Sequence, residues 1–176
     1  SGQLGSGAGE VLASIAGALK SRSGSLTINS ENFLPKSPSQ AIKKKIAYCS
    51  SDRKKDGLFL GRPIFENLTS PALSSISKYG FNFGSTEQDY SKSLAKEFLI
   101  DVKRMFDESG LLSGGNQQKV ALGKWLSIKP DVLLVNEPTR GVDVGAKSEI
   151  YQRMRDLAAR GITIIFASTD IQEITY

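Results

Sequence analysis

Apolar residues first recur at helical spacing at Val11, Leu12, Ile15, Ala16 and Leu19, which predicts a helix opening directly after a glycine-rich run. A turn at Ser23-Gly24 separates it from Leu26-Thr27-Ile28-Asn29, whose alternation reads as a short, half-exposed strand. Gln40 to Lys45 reads as a short basic helix and Ile46-Ala47-Tyr48-Cys49 as a strand. Ser85 and Gln88 can form a capping box on a helix running to about Val102, with Leu94, Phe98 and Val102 on one face. Met105 to Gly110 reads as a linker into a further helix, in which Val120, Leu122, Trp125 and Leu126 are core positions. Val132 to Val135 is a continuous apolar run, as expected of a strand buried on both faces of a parallel sheet. Val144 to Arg160 is amphipathic, with Ile150, Tyr151, Met154, Leu157 and Ala158 inward, and Gly161 stops it. Ile162 to Ala167 reads as another buried strand. This order predicts an α/β fold with a mostly parallel sheet.

The polar joints between these elements carry the candidate chemistry. Gly2, Gly5, Ser6 and Gly7 have the spacing of a phosphate-binding loop leading into a helix, but Ala8 and Gly9 stand where lysine and Ser/Thr belong. No strand precedes this loop, so the sequence is expected to begin inside its domain. Leu112-Ser113-Gly114-Gly115-Asn116-Gln117-Gln118-Lys119 starts the next motif. Ser113 is a good N-cap, and the two glycines let backbone N–H groups approach a ligand at the positive end of a helix. Glu137 ends the apolar strand, where open α/β sheets place their chemistry.

Composition narrows the class. The 176 residues suffice for one domain or a large part of one, and Lys+Arg 23 against Asp+Glu 18 leaves +5, a mildly basic surface. Cys49 is the single cysteine, so no internal disulfide can form. No apolar run approaches membrane-spanning length, and neither an aromatic-basic platform nor a basic tail points to nucleic acid.

Together, Leu112–Lys119 and Glu137–Lys147 (Glu-Pro-Thr-Arg-Gly-Val-Asp-Val-Gly-Ala-Lys) resemble the signature motif, Walker B strand and D-loop of an ATP-binding cassette (ABC) ATPase. The wording is similar to the second nucleotide-binding domain of bacterial simple-sugar importers of the ribose, galactose and xylose type. The resemblance implies a P-loop NTPase fold, with residues 1–60 and 120–176 as the core and about 65–119 as a helical subdomain carrying the signature. The family's first and last strands are expected to be absent. It implies ATP and Mg²⁺ as cofactors and a second, fused nucleotide-binding domain as partner. It also implies membrane permease subunits, a periplasmic sugar-binding protein indirectly, no nucleic acid, and a peripheral position on the cytoplasmic face of the membrane. Asp52 to Leu58 is close to the family's Q-loop wording, with Ser51 at the position of its Gln or Glu, and Arg53-Lys54-Lys55 is expected to face the membrane subunit.

In this family each ATP lies between one domain's Walker and loop residues and the other domain's signature. By the resemblance, the groups for this chain's own site are altered: Gly2, Gly5, Ser6, Gly7, Ala8 and Gly9 form a degenerate Walker A. Ser51 is shorter than Gln, Asn136 is neutral at the Walker B aspartate, and Thr169 holds the switch position usually given to histidine. Only Glu137, the water-polarising carboxylate, remains. Each charge-assisted hydrogen bond contributes about 1.5–3 kcal/mol, so losing the lysine and metal anchors weakens MgATP by about 4–6 kcal/mol, on the order of 10³–10⁴ in affinity. Ser113, Gly114, Gly115 and Gln117, which would serve the partner's ATP, are intact, as is Asp143 of the D-loop. The expected function is therefore the ATP-binding part of a sugar importer, a transport ATPase whose own site is impaired. A fully active ATPase half and a purely structural half that binds no nucleotide remain the alternatives.

Overall fold

The computed structural model describes residues 5–21, 23–28, 30–76 and 84–170, with side chains from residue 87 onward in the last segment. Gly2, Asn29 and the Ser85 side chain lie outside the described residues. In chain order the elements are helix α1 (Ala8–Ile15), strands β1 (Thr27–Ile28) and β2 (Glu31–Asn32), helix α2 (Pro38–Lys43) and strand β3 (Ile46–Cys49). Helices α3 (Ile64–Thr69), α4 (Leu73–Ile76), α5 (Gly84–Glu97) and α6 (Gly114–Gly123) follow, then strand β4 (Val132–Asn136), helix α7 (Val144–Ala159) and strand β5 (Thr163–Ala167).

The sheet is parallel, ordered β3-β4-β5, with Ile46 opposite Val132 and Val132 opposite Thr163. Because successive side chains of a strand point to opposite faces, β4 divides its apolar run between two cores. Leu133 and Val135 join Val120, Ala121, Ile150, Met154 and Leu157 on one face; Leu134 joins Leu12, Ala16, Ala41 and Ile46 on the other. That is the both-faces burial expected from the uninterrupted Val132–Val135 run. The first cluster continues through Leu68, Leu94 and Phe98, so α3 and α5 share a core with the sheet. The buried Lys119 of α6 pairs with Glu149 of α7.

A second, polar joint fixes the approach to α6. The fully buried Asn67 amide donates to the carbonyls of Phe59, Arg62 and Pro63 and to Ser109 Oγ at 3.0–3.3 Å, and accepts from the Phe59 N–H at 2.8 Å. Gln117 Nε2 then donates to the carbonyls of Ser109 and Gly110 at 3.3 and 3.4 Å. Burying these groups is tolerable because each has its partners.

Several expectations change. Helix α1 ends at Ile15, short of Leu19, which is exposed, as is Val11, and α2 spans Pro38–Lys43 rather than Gln40–Lys45. The Leu26–Asn29 strand is a two-residue β1 paired antiparallel with β2. The helix projected to Val102 ends at Glu97, because Leu99 adopts a left-handed φ of 52° and the Ile100 N–H closes back on the Ala95 carbonyl. Ala158 is exposed, one position past the inward stripe that ends at Leu157. And β5 is not a buried strand: it has a neighbour on one side only among the described residues, leaving Ile165 and Phe166 exposed.

Candidate functional site

The three parallel strands end on the same side of the sheet, and the candidate residues collect there. The segment Gly5-Ser6-Gly7 bends into α1 with φ of 86° at Gly5 and 83° at Gly7, left-handed values that glycine adopts without a Cβ penalty. Gly7 N-caps α1 with no side-chain bond, so backbone N–H groups are what the helix offers at this end. Gly5 to Glu10, Ser51 from the loop after β3, Asn136, Glu137 and Arg140 from the end of β4, and Ala167, Ser168 and Thr169 from the end of β5 line one cleft of about 180 Å³. All the Walker, Q-loop and switch positions named from the sequence and described in the structure therefore meet in this cleft.

Within it, two contacts set the chemistry. A Cβ added to Gly9 would lie 2.7 Å from Asn136 Nδ2 and 3.2 Å from its Oδ1. The amide crowds the space in which a residue-9 Cβ would stand, and it also bonds the Tyr48 side chain, whose hydroxyl pKa is raised mainly by burial. Glu137 follows β4 at a left-handed φ of 54°, an uncommon conformation for a residue with a Cβ. Its Oε1 accepts the Thr169 N–H at 2.8 Å and its Oε2 the Thr169 hydroxyl at 3.3 Å, while its own N–H bonds the Ala167 carbonyl. Arg140, Glu10 and Glu137 are the charged residues of the lining, and among the described residues no lysine enters it.

Ser113, Gly114, Gly115, Gln117 and Asp143 gather elsewhere, where α6 starts beside the loop entering α7. Ser113 N-caps α6, accepting the Asn116 N–H at 3.4 Å, and Asp143 N-caps α7, accepting the Ala146 N–H at 3.0 Å. The glycines are pressed against that loop and the first turn of α7: a Cβ on Gly114 would meet the Gly141 carbonyl oxygen at 2.6 Å, and one on Gly115 would meet Ala146 Cβ at 2.7 Å. Both glycines are thus required by packing within the chain, independently of any ligand.

Sequence reasoning missed Arg53. Expected in a charge run facing outward, it turns inward from the single-turn helix at 53–57, and only Lys54 and Lys55 of the run are exposed. Its Nε donates to Gln117 Oε1 at 3.3 Å, Nη1 to the Arg140 carbonyl at 2.6 Å and Nη2 to the Gly141 carbonyl at 3.2 Å. Burial draws its pKa below the ordinary arginine value, and the charge of Asp52 opposes that. Two of its acceptors are main-chain carbonyls, which leave no trace in residue types. Arg140 and Tyr48 also carry no local signal of a role in the cleft: the first lies inside a motif and the second inside a strand.

The family model described as ABC transporter matches residues 1–140. The ribose import ATP-binding protein RbsA of Streptococcus agalactiae serotype III is 46% identical over 174 residues, 99% of this chain and 35% of that protein. Its namesake from Lactococcus lactis subsp. lactis is 45% identical over 175 residues, 98% of this chain and 35% of that protein. The chain thus spans about a third of the length of these curated relatives. Among solved structures, the ATP-binding cassette MJ0796 bound to ADP and Pi superposes with a TM-score of 0.78 at 22% identity, covering 96% of this chain and 72% of that one. A nucleotide-free ATP-binding cassette superposes at 0.75 and 20% identity, covering 92% and 66%. The solved structures establish the P-loop cassette fold, and with the family match over residues 1–140 the chain belongs to the ABC transporter family as a nucleotide-binding domain.

Proposed function

We propose that this chain is the second nucleotide-binding domain of a simple-sugar importer, with a degenerate ATP cleft of its own and a signature turn that completes a partner domain's ATP site. The observation that carries this is the contact between Gly9 and Asn136, set against the intact, capped turn at Ser113. Magnesium takes hard oxygen donors in near-octahedral geometry. Residue 9 supplies no hydroxyl, residue 136 supplies a neutral amide already committed to Tyr48, and both Glu137 oxygens face Thr169. The donor set fits the metal poorly, and Ala8 leaves the phosphates without the usual lysine. Gly5 and Gly7 keep a backbone cradle, which favours weak nucleotide binding over none.

Residues 1–60 and 120–176 act as the ATP-binding core in this reading, and 65–119 as the helical subdomain. The partners are a second, fused nucleotide-binding domain, membrane permease subunits and, indirectly, a periplasmic sugar-binding protein, with the assembly at the cytoplasmic face of the membrane. Sugar import is supported by the names of the relatives at 45–46% identity. A permease contact is supported by the exposed Lys54, Lys55 and Phe59 beside the signature side of the fold. Among the described residues no helix is long and apolar enough to cross a membrane, so the span would come from those subunits.

Site-directed variants of the full-length protein test the asymmetry. Ser113→Arg places a bulky cation on the turn offered to the partner's ATP and abolishes ATP hydrolysis, whereas Glu137→Gln reduces it only slightly. Equal losses from the two substitutions reject the reading.

A further inference from the structure

We propose that Arg53 is a positioning residue: its guanidinium locks the signature turn to the loop after Glu137, so that the turn is presented to the partner's nucleotide in one fixed geometry. This rests on the reading that Ser113–Gln117 serves a partner's ATP.

Three segments distant in sequence converge on this side chain. It springs from the loop that carries Ser51 into this chain's own cleft, it holds the carbonyls of Arg140 and Gly141, and it bonds Gln117 one turn inside α6. The Arg140 whose carbonyl it grips is also a wall residue of that cleft. Its terminal nitrogen would lie 2.9 Å from a Cβ on Gly114, so the guanidinium occupies a slot that only a glycine at 114 leaves open. Gly141, at φ 65°, forms the other wall: a Cβ added there would lie 3.6–3.7 Å from the guanidinium nitrogens. A planar fork with fixed N–H directions is suited to three acceptors at once; a lysine ammonium reaches them only as a point charge. Among the described residues no salt bridge ties up the Arg53 guanidinium; the neighbouring Asp52 charge favours its cationic form, and its N–H groups are left to the carbonyls and to Gln117. The cleft loops and the signature turn are therefore one mechanical unit, with Arg53 as the strut.

Misplacing a reacting group by about 1 Å costs on the order of 10²-fold in rate, while ground-state binding at the partner's Walker residues is untouched. The test measures ATP hydrolysis by the full-length protein carrying Arg53→Lys or Arg53→Met, with Ser113→Arg beside them and melting temperatures for all. The expected result is a drop in kcat of about tenfold or more for both Arg53 variants, with KM for ATP within about twofold of the parent and no loss of melting temperature in Arg53→Lys. Full kcat in Arg53→Lys overturns the proposal, since charge alone would then suffice. It is equally overturned if KM rises while kcat holds, or if kcat falls only in step with the folded fraction. Should Arg53→Met fail to fold, Arg53→Lys decides alone. If Ser113→Arg leaves hydrolysis intact, the signature reading itself has failed; if it abolishes hydrolysis while Arg53→Lys does not reduce it, only the strut is lost.

Discussion

The carboxylate of Glu137 is clasped by Thr169, with one oxygen on the Thr169 N–H at 2.8 Å and the other on its hydroxyl at 3.3 Å. The clasp joins the residue after β4 to the end of β5 within the cleft lining, and Glu137 makes it from a left-handed φ of 54°. Thr169→Val keeps the shape and the N–H bond but removes the hydroxyl donor. A net hydrogen-bond contribution of about 0.5–1.5 kcal/mol predicts a melting temperature lower by a few degrees, with Thr169→Ser near the parent. Thermal unfolding followed by circular dichroism checks this; equal stability of the valine and threonine forms would show that the hydroxyl is not engaged.

Gly9 and Asn136 compete for one volume. Gly9→Ser drives its Cβ into the Asn136 amide and is expected to destabilise by about 1–3 kcal/mol, as overpacking does. In an Asn136→Ala background the same change costs less than half as much. A double-mutant cycle by denaturant unfolding measures the coupling, and additive effects would mean the contact is absent.

The two signature glycines fail for different reasons. Helix propensity alone would make Gly→Ala favourable by up to about 1 kcal/mol at either position. At Gly115 the obstacle is Ala146 Cβ, so Gly115→Ala destabilises and Ala146→Gly relieves it. At Gly114 the obstacle is the Gly141 carbonyl oxygen, which no side-chain change removes, so Gly114→Ala resists rescue. Melting temperatures of the four variants distinguish these outcomes.

Cys49 lies fully buried beside Lys124 and Ala121, and burial pushes its thiol pKa up to about 11. The folded chain therefore keeps a proton that the unfolded chain releases near pH 9, and stability falls as pH rises from about 9 to 11, at about 1.4 kcal/mol per pH unit. Burial lowers the pKa of Lys124, which sheds its proton earlier when folded and works in the opposite direction. Comparing Cys49→Ala with the parent isolates the thiol: the alanine form gains relative stability above pH 9. Parallel stability curves from pH 8 to 10.5 would contradict this.

Much of the layout could be read from residue types because local signals and periodicity were strong. The uninterrupted apolar run of β4, the N-cap Ser113 and the place of Glu137 at a strand end follow from short-range chemistry and the α/β rule, whereas the grouping of Ser51, Asn136 and Thr169 with Gly5–Gly9 came from the resemblance to the ABC family, and the N-cap role of Asp143 came from the structure. The end of α5 was not readable, since it depends on Leu99 accepting a left-handed φ that its type does not favour.

What the amino-acid order alone determined was the alternation of helix and strand, the motifs at the joints, and the absence of lysine and hydroxyl at residues 8 and 9. Tertiary structure decided the rest. It turned Arg53 inward onto carbonyls 87 and 88 positions away, placed the Asn136 amide over Gly9, and closed Thr169 onto Glu137. Among the described residues, β5 has a neighbour on one side only, which leaves Ile165 and Phe166 exposed. The reason is physical: main-chain acceptors look alike at every residue, and a strand's hydrophobicity does not say which of its sides will find a neighbour.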